Sequence, residues 1–389
     1  MAQWRWLVQN TERYTWGFML RVAAKAAALF VALNVIFALV EPLPLLGTLS
    51  IYNVLVPGRA RLPYGENPAQ SYNLSLNNLP AMFASHEIAV PRAEDEFRVL
   101  LMGDSATWGY LLWPGDTLTG ALNEQAYATA DGRRVRAYNL GYPIMSLTKD
   151  LLLLDYAVRY QPDLIVWLVT LESFPRDKQL FPPLVQNNPE ATRRLIEEYA
   201  LDLDSQDPRL VDPAFLDRTI VGRRRELNDL LRLQLYGIPW AITGIDQHYP
   251  EHYELRQSDF EEDVSWQDYQ EQQPLTEQEL AFDVLRAGFA RAGDVPLLLI
   301  NEPMFISSGR NSDLRYNFFY PRWAYDQYHT LIAEIAGENG WPFLDLWDAL
   351  PPDLFTDSPV HYTPDGARQL AGLVGPAVIA LADEGHLPQ

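Results

Sequence analysis

From residue 97 onward, short apolar runs alternate with longer stretches of helical spacing, and no other feature restricts the fold as much. The strand candidates are 98–102 (RVLLM), 135–140 (VRAYNL), 164–170 (LIVWLVT), 296–300 (PLLLI) and 343–346 (FLDL). Helix candidates at 117–127, 148–160, 279–292 and 323–338 fall between them. In the last of these, Trp323, Tyr325, Tyr328, Leu331, Ile332 and Ile335 recur at helical spacing. Strands that alternate with helices demand a parallel sheet covered on both faces. The near-continuous apolar strands fit burial on both sides. With 48% hydrophobic residues in 389, the chain can fill such a core.

One interval breaks the rhythm. Between Ser173 and Pro296 no strong strand is found, only helices near 190–200 and 219–237 and an acidic, Gln-rich stretch at 251–278. It reads as a largely helical insertion after the third strand, at about 174–294. Within it, RRRELNDLLRLQLYGIPWAITG (223–244) is basic at one end and amphipathic beyond. It is either a helix packed on the core or a second contact with a membrane surface.

The N-terminus carries a different signal. Residues 26–40 (AAALFVALNVIFALV) are apolar apart from Asn34. They cover about 22 Å, and extension back to Phe18 reaches the roughly 30 Å of a bilayer core, with Arg21 and Lys25 snorkelling outward. Arg5, Arg13, Arg21 and Lys25 precede the run, and Glu41 and Pro42 follow it. The positive-inside rule then places the N-terminus in the cytoplasm and the remainder outside the cytoplasmic membrane. A cleaved signal peptide and a buried core helix are the rival readings. The expected division is a cytoplasmic N-terminus and single-pass anchor at 1–41, a membrane-proximal connector of little regular structure at 42–95, and an α/β domain at 96–389.

Composition excludes several classes. A net charge of −21 argues against nucleic acid as a partner. The absence of cysteine removes thiol nucleophiles, disulfides and thiolate metal sites.

Ligands of open α/β sheets sit at the carboxyl ends of the strands. The first strand ends in Gly103-Asp104-Ser105, the second in Asn139-Leu140-Gly141-Tyr142, the third in Thr170-Leu171-Glu172-Ser173, and the fourth in Asn301-Glu302-Pro303. The fifth leads to Thr356-Asp357-Ser358-Pro359-Val360-His361. A serine needs a base in hydrogen-bond reach, itself oriented by a third group. Of six histidines, His361 stands just before a well-capped final helix, over the same sheet edge as Ser105, with Asp357 four residues earlier. Trp108, Tyr110, Trp113 and Tyr142 either wall an acyl or sugar pocket or pack against the next helix.

Ser105 in a GDS turn after the first strand, with an Asp and a His before the last helix, resembles the SGNH/GDSL hydrolase superfamily. The resemblance covers about 97–173 and 295–380. The anchor and insertion are similar to its extracytoplasmic branch, which trims or adds acyl groups on envelope polysaccharides. The resemblance implies Ser105 as nucleophile, His361 as base and Asp357 as orienting acid, with Asp348, Asp353 or a Ser–His dyad as alternatives. It implies an oxyanion donor at the Ser105 N–H. The family's second-block glycine falls on Ile144, and its third-block asparagine on Glu172, an acceptor when ionised. Either Glu172 is held protonated, or Asn139 or Asn301 replaces it, or activity is weak. Asp104, Trp108, Tyr142 and Asn301 are expected to line the substrate pocket.

The expected fold is a three-layer, flavodoxin-like α/β sheet of about five strands with an N-terminal transmembrane helix. The expected function is a serine-dependent ester hydrolase or O-acyltransferase on a cell-envelope carbohydrate or lipid. Neither cofactor nor metal is expected, and a multi-spanning acyl-donor partner is a candidate. The alternative is a non-catalytic envelope protein that binds a glycan or serves as a subunit of a membrane complex. His248-Tyr-Pro-Glu-His252 has H-x-x-E-H spacing, but Pro250 opposes the helix that zinc ligation needs. Asn73-Leu-Ser75 is a glycosylation triplet that arises often by chance.

Overall fold

Five parallel strands carry the structure: β1 (Glu96–Met102), β2 (Arg134–Asn139), β3 (Leu164–Val169), β4 (Leu297–Asn301) and β5 (Phe343–Asp345). The computed structural model describes residues 15–49, 51–55, 58–64, 77–210, 212–243 and 252–384. The strands pair in the order β2-β1-β3-β4-β5. The order reverses direction between β1 and β3, and such a switch point opens a crevice at the strands' carboxyl ends.

The helices used below are α1 (Trp16–Val40), α2 (Ser105–Trp108), α3 (Leu118–Glu124), α4 (Leu147–Ala157), α5 (Arg224–Thr243), α6 (Phe282–Ala292), α7 (Arg322–Asn339) and α8 (Pro364–Glu384). Alternate strand residues point to opposite faces. Leu100, Met102, Ile165, Trp167 and Leu299 meet α4, α6 and α7 in one core. Val99, Leu101, Val166, Leu168 and Ile300 meet α3 and α8 in the other. The result is the three-layer flavodoxin-like order that the alternation predicts. β5 is short and only partly buried, as an edge strand should be.

Helix α1 runs for 25 residues with nearly all its side chains exposed. At about 37 Å it is long enough to cross a membrane, and its composition is apolar enough. The region expected as an unstructured connector departs from expectation. Among its described residues are short helices at Leu43–Thr48, Ile51–Leu55 and Leu79–Ser85. Leu62, Met82, Phe83 and Ile88 are buried in the core of the α/β domain. Isolated apolar residues between Pro and Asn gave no periodicity to read, yet they join the core, with Phe83 packed on Tyr156 and Tyr160. Arg61 Nη1 donates to the carbonyls of Gly109 (2.8 Å), Leu112 (3.0 Å) and Trp108 (3.4 Å), and its guanidinium lies 4.5 Å over the Trp108 ring. The insertion is less helical than expected: 252–281 is mainly turns and irregular chain. Asn73-Leu-Ser75 and most of the His248–His252 motif lie outside the described residues.

His86, absent from the sequence argument, is fully buried. Its Nδ1 accepts the Ile88 N–H (3.1 Å), which leaves Nε2 to donate to the Asn139 carbonyl (3.0 Å). The neutral tautomer is therefore built in. Burial, partly offset by the Asn139 and Ala60 carbonyls, pushes its pKa down to about 4. The folded state resists protonation that the unfolded chain accepts near 6.5. Its contribution is complete above pH 6.5 and fades as pH falls toward 4, by up to about 3 kcal/mol. Denaturant midpoints at pH 7 and pH 4.5 should differ accordingly, and His86→Asn should flatten that dependence.

Candidate active site

Strand β1 stops at Gly103, whose φ of +155° and tight surroundings exclude a side chain: a Cβ there would collide with the Thr107 hydroxyl. Asp104 then caps α2, its Oδ1 accepting the Ala106 N–H at 2.7 Å. Five residues after Asp104, Gly109, at φ +83°, ends the helix and returns its N–H to the Ser105 carbonyl (3.0 Å). This turn lifts Ser105 to the first helical position, half-exposed at the crevice.

The second arm of the site comes from the loop before α8. Phe355 and Tyr362 pair across it, and the Thr356 N–H donates to the His361 carbonyl at 2.8 Å. The Phe305 N–H, just past β4, holds the Pro359 carbonyl at 2.7 Å. That closed loop accommodates the four-residue step. His361 Nδ1 lies 2.9 Å from Asp357 Oδ1, and Nε2 lies 2.8 Å from Ser105 Oγ. Asp357 thus occupies the position for which Asp348 and Asp353 were alternatives. Burial alone would raise the Asp357 carboxyl. Hydrogen bonds from His361 and Thr356 and the pull of the imidazole outweigh it, and the group stays below the ordinary aspartate value. The Tyr110 ring rests 4.7 Å from the imidazole.

Two N–H groups, those of Ser105 and Ile144, stand at the positions where the resemblance implies oxyanion donors. Ser105 N–H belongs to the first turn of α2, where backbone donors lack helical partners. Ile144 adopts φ +74°, a left-handed conformation rare for a β-branched residue. The glycine is gone, but the backbone keeps the conformation a glycine would favour. Among the described residues neither N–H has a hydrogen-bond partner in the protein. Ile144→Gly should release this strain and raise stability by about 1 kcal/mol, read as a shifted denaturation midpoint.

The third-block position holds an acceptor. Lys178 Nζ (2.9 Å) and Gln267 Nε2 (2.9 and 2.8 Å) donate to the Glu172 carboxylate. Lys178 and Gln267 both come from the insertion, and sequence reasoning gave neither a role. The proposed substitutes do not serve. Asn139 Nδ2 donates to the Thr107 (2.9 Å) and Trp108 (3.3 Å) carbonyls. Asn301 Nδ2 donates to Asp345 (2.9 Å), and its oxygen accepts from Tyr328 (3.1 Å) and Tyr325 (3.3 Å).

The expected pocket lining also needs correction. Asp104, Trp108, Tyr142 and Asn301 are all buried. Trp108 Nε1 donates to the Leu62 carbonyl at 2.9 Å, and the Tyr142 ring packs edge-on against Tyr64. The connector covers Trp108 and Tyr142, whereas Asn301 is enclosed by Tyr325, Tyr328 and Asp345. Of the other residues named for the site, Ile144 and Trp113 are exposed, and Tyr110, half-buried, is the one whose ring meets His361.

Directly under the nucleophile turn lies a charged cluster. Lys149, fully buried, donates to the carbonyls of Gly103 (2.9 Å) and Tyr142 (2.6 Å) and pairs with Asp150 at 2.8 Å. Trp167 Nε1 donates to the other Asp150 oxygen at 3.1 Å. Burial pushes Asp150 up to about 6 despite Lys149. Glu302 is buried beside Asp104. Burial first, then the Asp104 charge, hold its carboxyl far above the ordinary glutamate range. The shift favours the protonated carboxyl, which relieves repulsion from Asp104.

The parallel sheet, the serine after β1 and the histidine before the last helix make this an SGNH-hydrolase-like fold. The chain is similar in structure to a carbohydrate acetylesterase family member from Sinorhizobium meliloti (12% identity, 73% of this chain and 98% of that chain, TM-score 0.33). It is also similar to an aryl esterase of M. Smegmatis (12%, 73% and 99%, 0.32). A third is a catalytic mutant of an acetylxylan esterase from Geobacillus stearothermophilus (14%, 72% and 93%, 0.37). No protein-family model and no curated protein matches the chain. The functional reading rests on the site's own geometry.

Proposed function

We propose that the protein is a serine-dependent ester hydrolase or O-acyltransferase, acting on a cell-envelope carbohydrate or lipid outside the cytoplasmic membrane. One observation carries the reading: Ser105 Oγ, His361 and Asp357 form a continuous relay at 2.8 and 2.9 Å across 256 positions of sequence. Ser105 Oγ attacks the ester carbonyl and passes its proton to His361 Nε2. Asp357 holds Nδ1–H, fixes the tautomer and steadies the imidazolium. The tetrahedral oxyanion meets the N–H groups of Ser105 and Ile144. His361 then protonates the departing alcohol oxygen, leaving an acyl-serine. Water or a sugar hydroxyl gives its proton to His361, takes the acyl group and frees Ser105. The two activities differ only in that acceptor. The location rests on α1, with Arg21 and Lys25 in its first half and Glu41 at its end.

A second reading is favoured by Glu172, an acceptor where the resemblance implies an asparagine donor. It is a non-catalytic protein that uses the crevice to bind a glycan or joins a membrane complex. Stoichiometric capture of a fluorophosphonate by the full-length protein in detergent, with acetyl-ester turnover, supports the enzyme. Folded protein that neither reacts nor turns over supports the second reading.

A further inference from the structure

The insertion leans on the N-terminal helix, away from the crevice. Asn34 and Ala38, one turn apart, are the buried positions of α1. Asn34 Oδ1 accepts the Val221 N–H at 3.2 Å. At the helix end Arg218 pairs with Glu41 at 3.0 Å. A third tie joins the Ile51 N–H to Gln234 Oε1 on α5 at 2.7 Å. Asn34 lies six residues before Val40, so the segment around Val221 reaches about 9 Å along α1 from its end.

Exposed apolar side chains are concentrated in the same place. Outside α1, ten of the eighteen large exposed hydrophobics among the described residues fall within 45–55 and 215–235. The others are scattered singly over the domain, which is ordinary for a protein surface. Leu231 is 62% exposed and Leu235 is 70% exposed, so α5 does not bury its apolar stripe against the core, and Leu216, just before it, is 75% exposed. Between 218 and 232 stand five arginines against two acids, in a chain of net charge −21.

We propose that 45–55 and 215–235 form a second membrane contact. It is an interfacial element beside α1, with leucines among the acyl chains and arginines at the phosphates of anionic lipids. The proposal rests on the reading that α1 crosses the membrane. Interfacial helices sit about 5–10 Å into the headgroup and acyl boundary, the depth that the Asn34 contact sets. The pairs Arg218–Glu41 and Arg223–Glu226 keep their charge at the level where arginine stems can extend toward water.

The chain has no cysteine, so single-cysteine variants carry a unique spin label. L216C and L235C test the element, L33C reports on α1, and L255C serves as an exposed control. Each full-length variant is placed in vesicles of phosphatidylcholine with a minority of phosphatidylglycerol. The expected result is several-fold greater access to oxygen than to a water-soluble nickel chelate at 33, 216 and 235, with the reverse at 255. Nickel access at either 216 or 235, with 33 still in lipid, overturns the second contact and leaves the span intact. Nickel access at 33 overturns the span and this proposal together. Low access to both reagents at 216 and 235, with dipolar broadening between labels, assigns the patch to a second copy and also overturns it.

Discussion

Ser105→Ala is expected to lower ester turnover by about 10⁴–10⁶-fold and to abolish fluorophosphonate capture, with the folded state unchanged by circular dichroism. Among the described residues the serine hydroxyl makes one side-chain hydrogen bond, to His361, so its removal leaves no buried group unpaired. His361→Ala should cost as much, because an un-ionised serine is a weak nucleophile. The double variant should be no worse than either single one, since the residues act as a unit. Losses that multiply would show that the two work independently and that the 2.8 Å contact is not the reacting pair.

Lys149→Met is expected to cost about 3–5 kcal/mol of stability, read as a lower urea midpoint of the detergent-solubilised protein at unchanged slope. The methionine fills the volume but leaves Asp150 without its cation and two carbonyls of the nucleophile turn without their donor. Glu302→Gln is the informative contrast. With burial and Asp104 favouring the protonated carboxyl, an amide of similar size removes no charge the cluster needs and should change stability by about 1 kcal/mol or less. If Glu302→Gln proved as damaging as Lys149→Met, Glu302 would have to be ionised and the charge assignment of the cluster would be wrong.

The layers of the fold were legible because burial on both faces leaves a near-continuous apolar run, as in Leu164–Val169. The relay was legible because the ends of parallel strands share one rim, which brings residues 105 and 361 together whatever their sequence separation. What stayed hidden depends on pairing between distant segments. Lys149 drew no notice in its apolar helix, and the carbonyls of Gly103 and Tyr142, with Asp150, explain its burial. Asn139 and Asn301 looked like free donors, because nothing local announces that Thr107, Trp108 and Asp345 already occupy them. Trp108 and Tyr142 were read as pocket walls because the connector, with no periodicity of its own, gave no sign that it covers them.

The Arg61 guanidinium has a mechanical consequence. It ties the stretch leading out of the apolar helix to the very turn that presents Ser105. A serine bound that way cannot roam on a leash. On the proposed reading that α1 spans the membrane and Ser105 attacks esters, it works at one altitude above the bilayer, facing one direction, and meets only those esters that diffuse or are handed to that height.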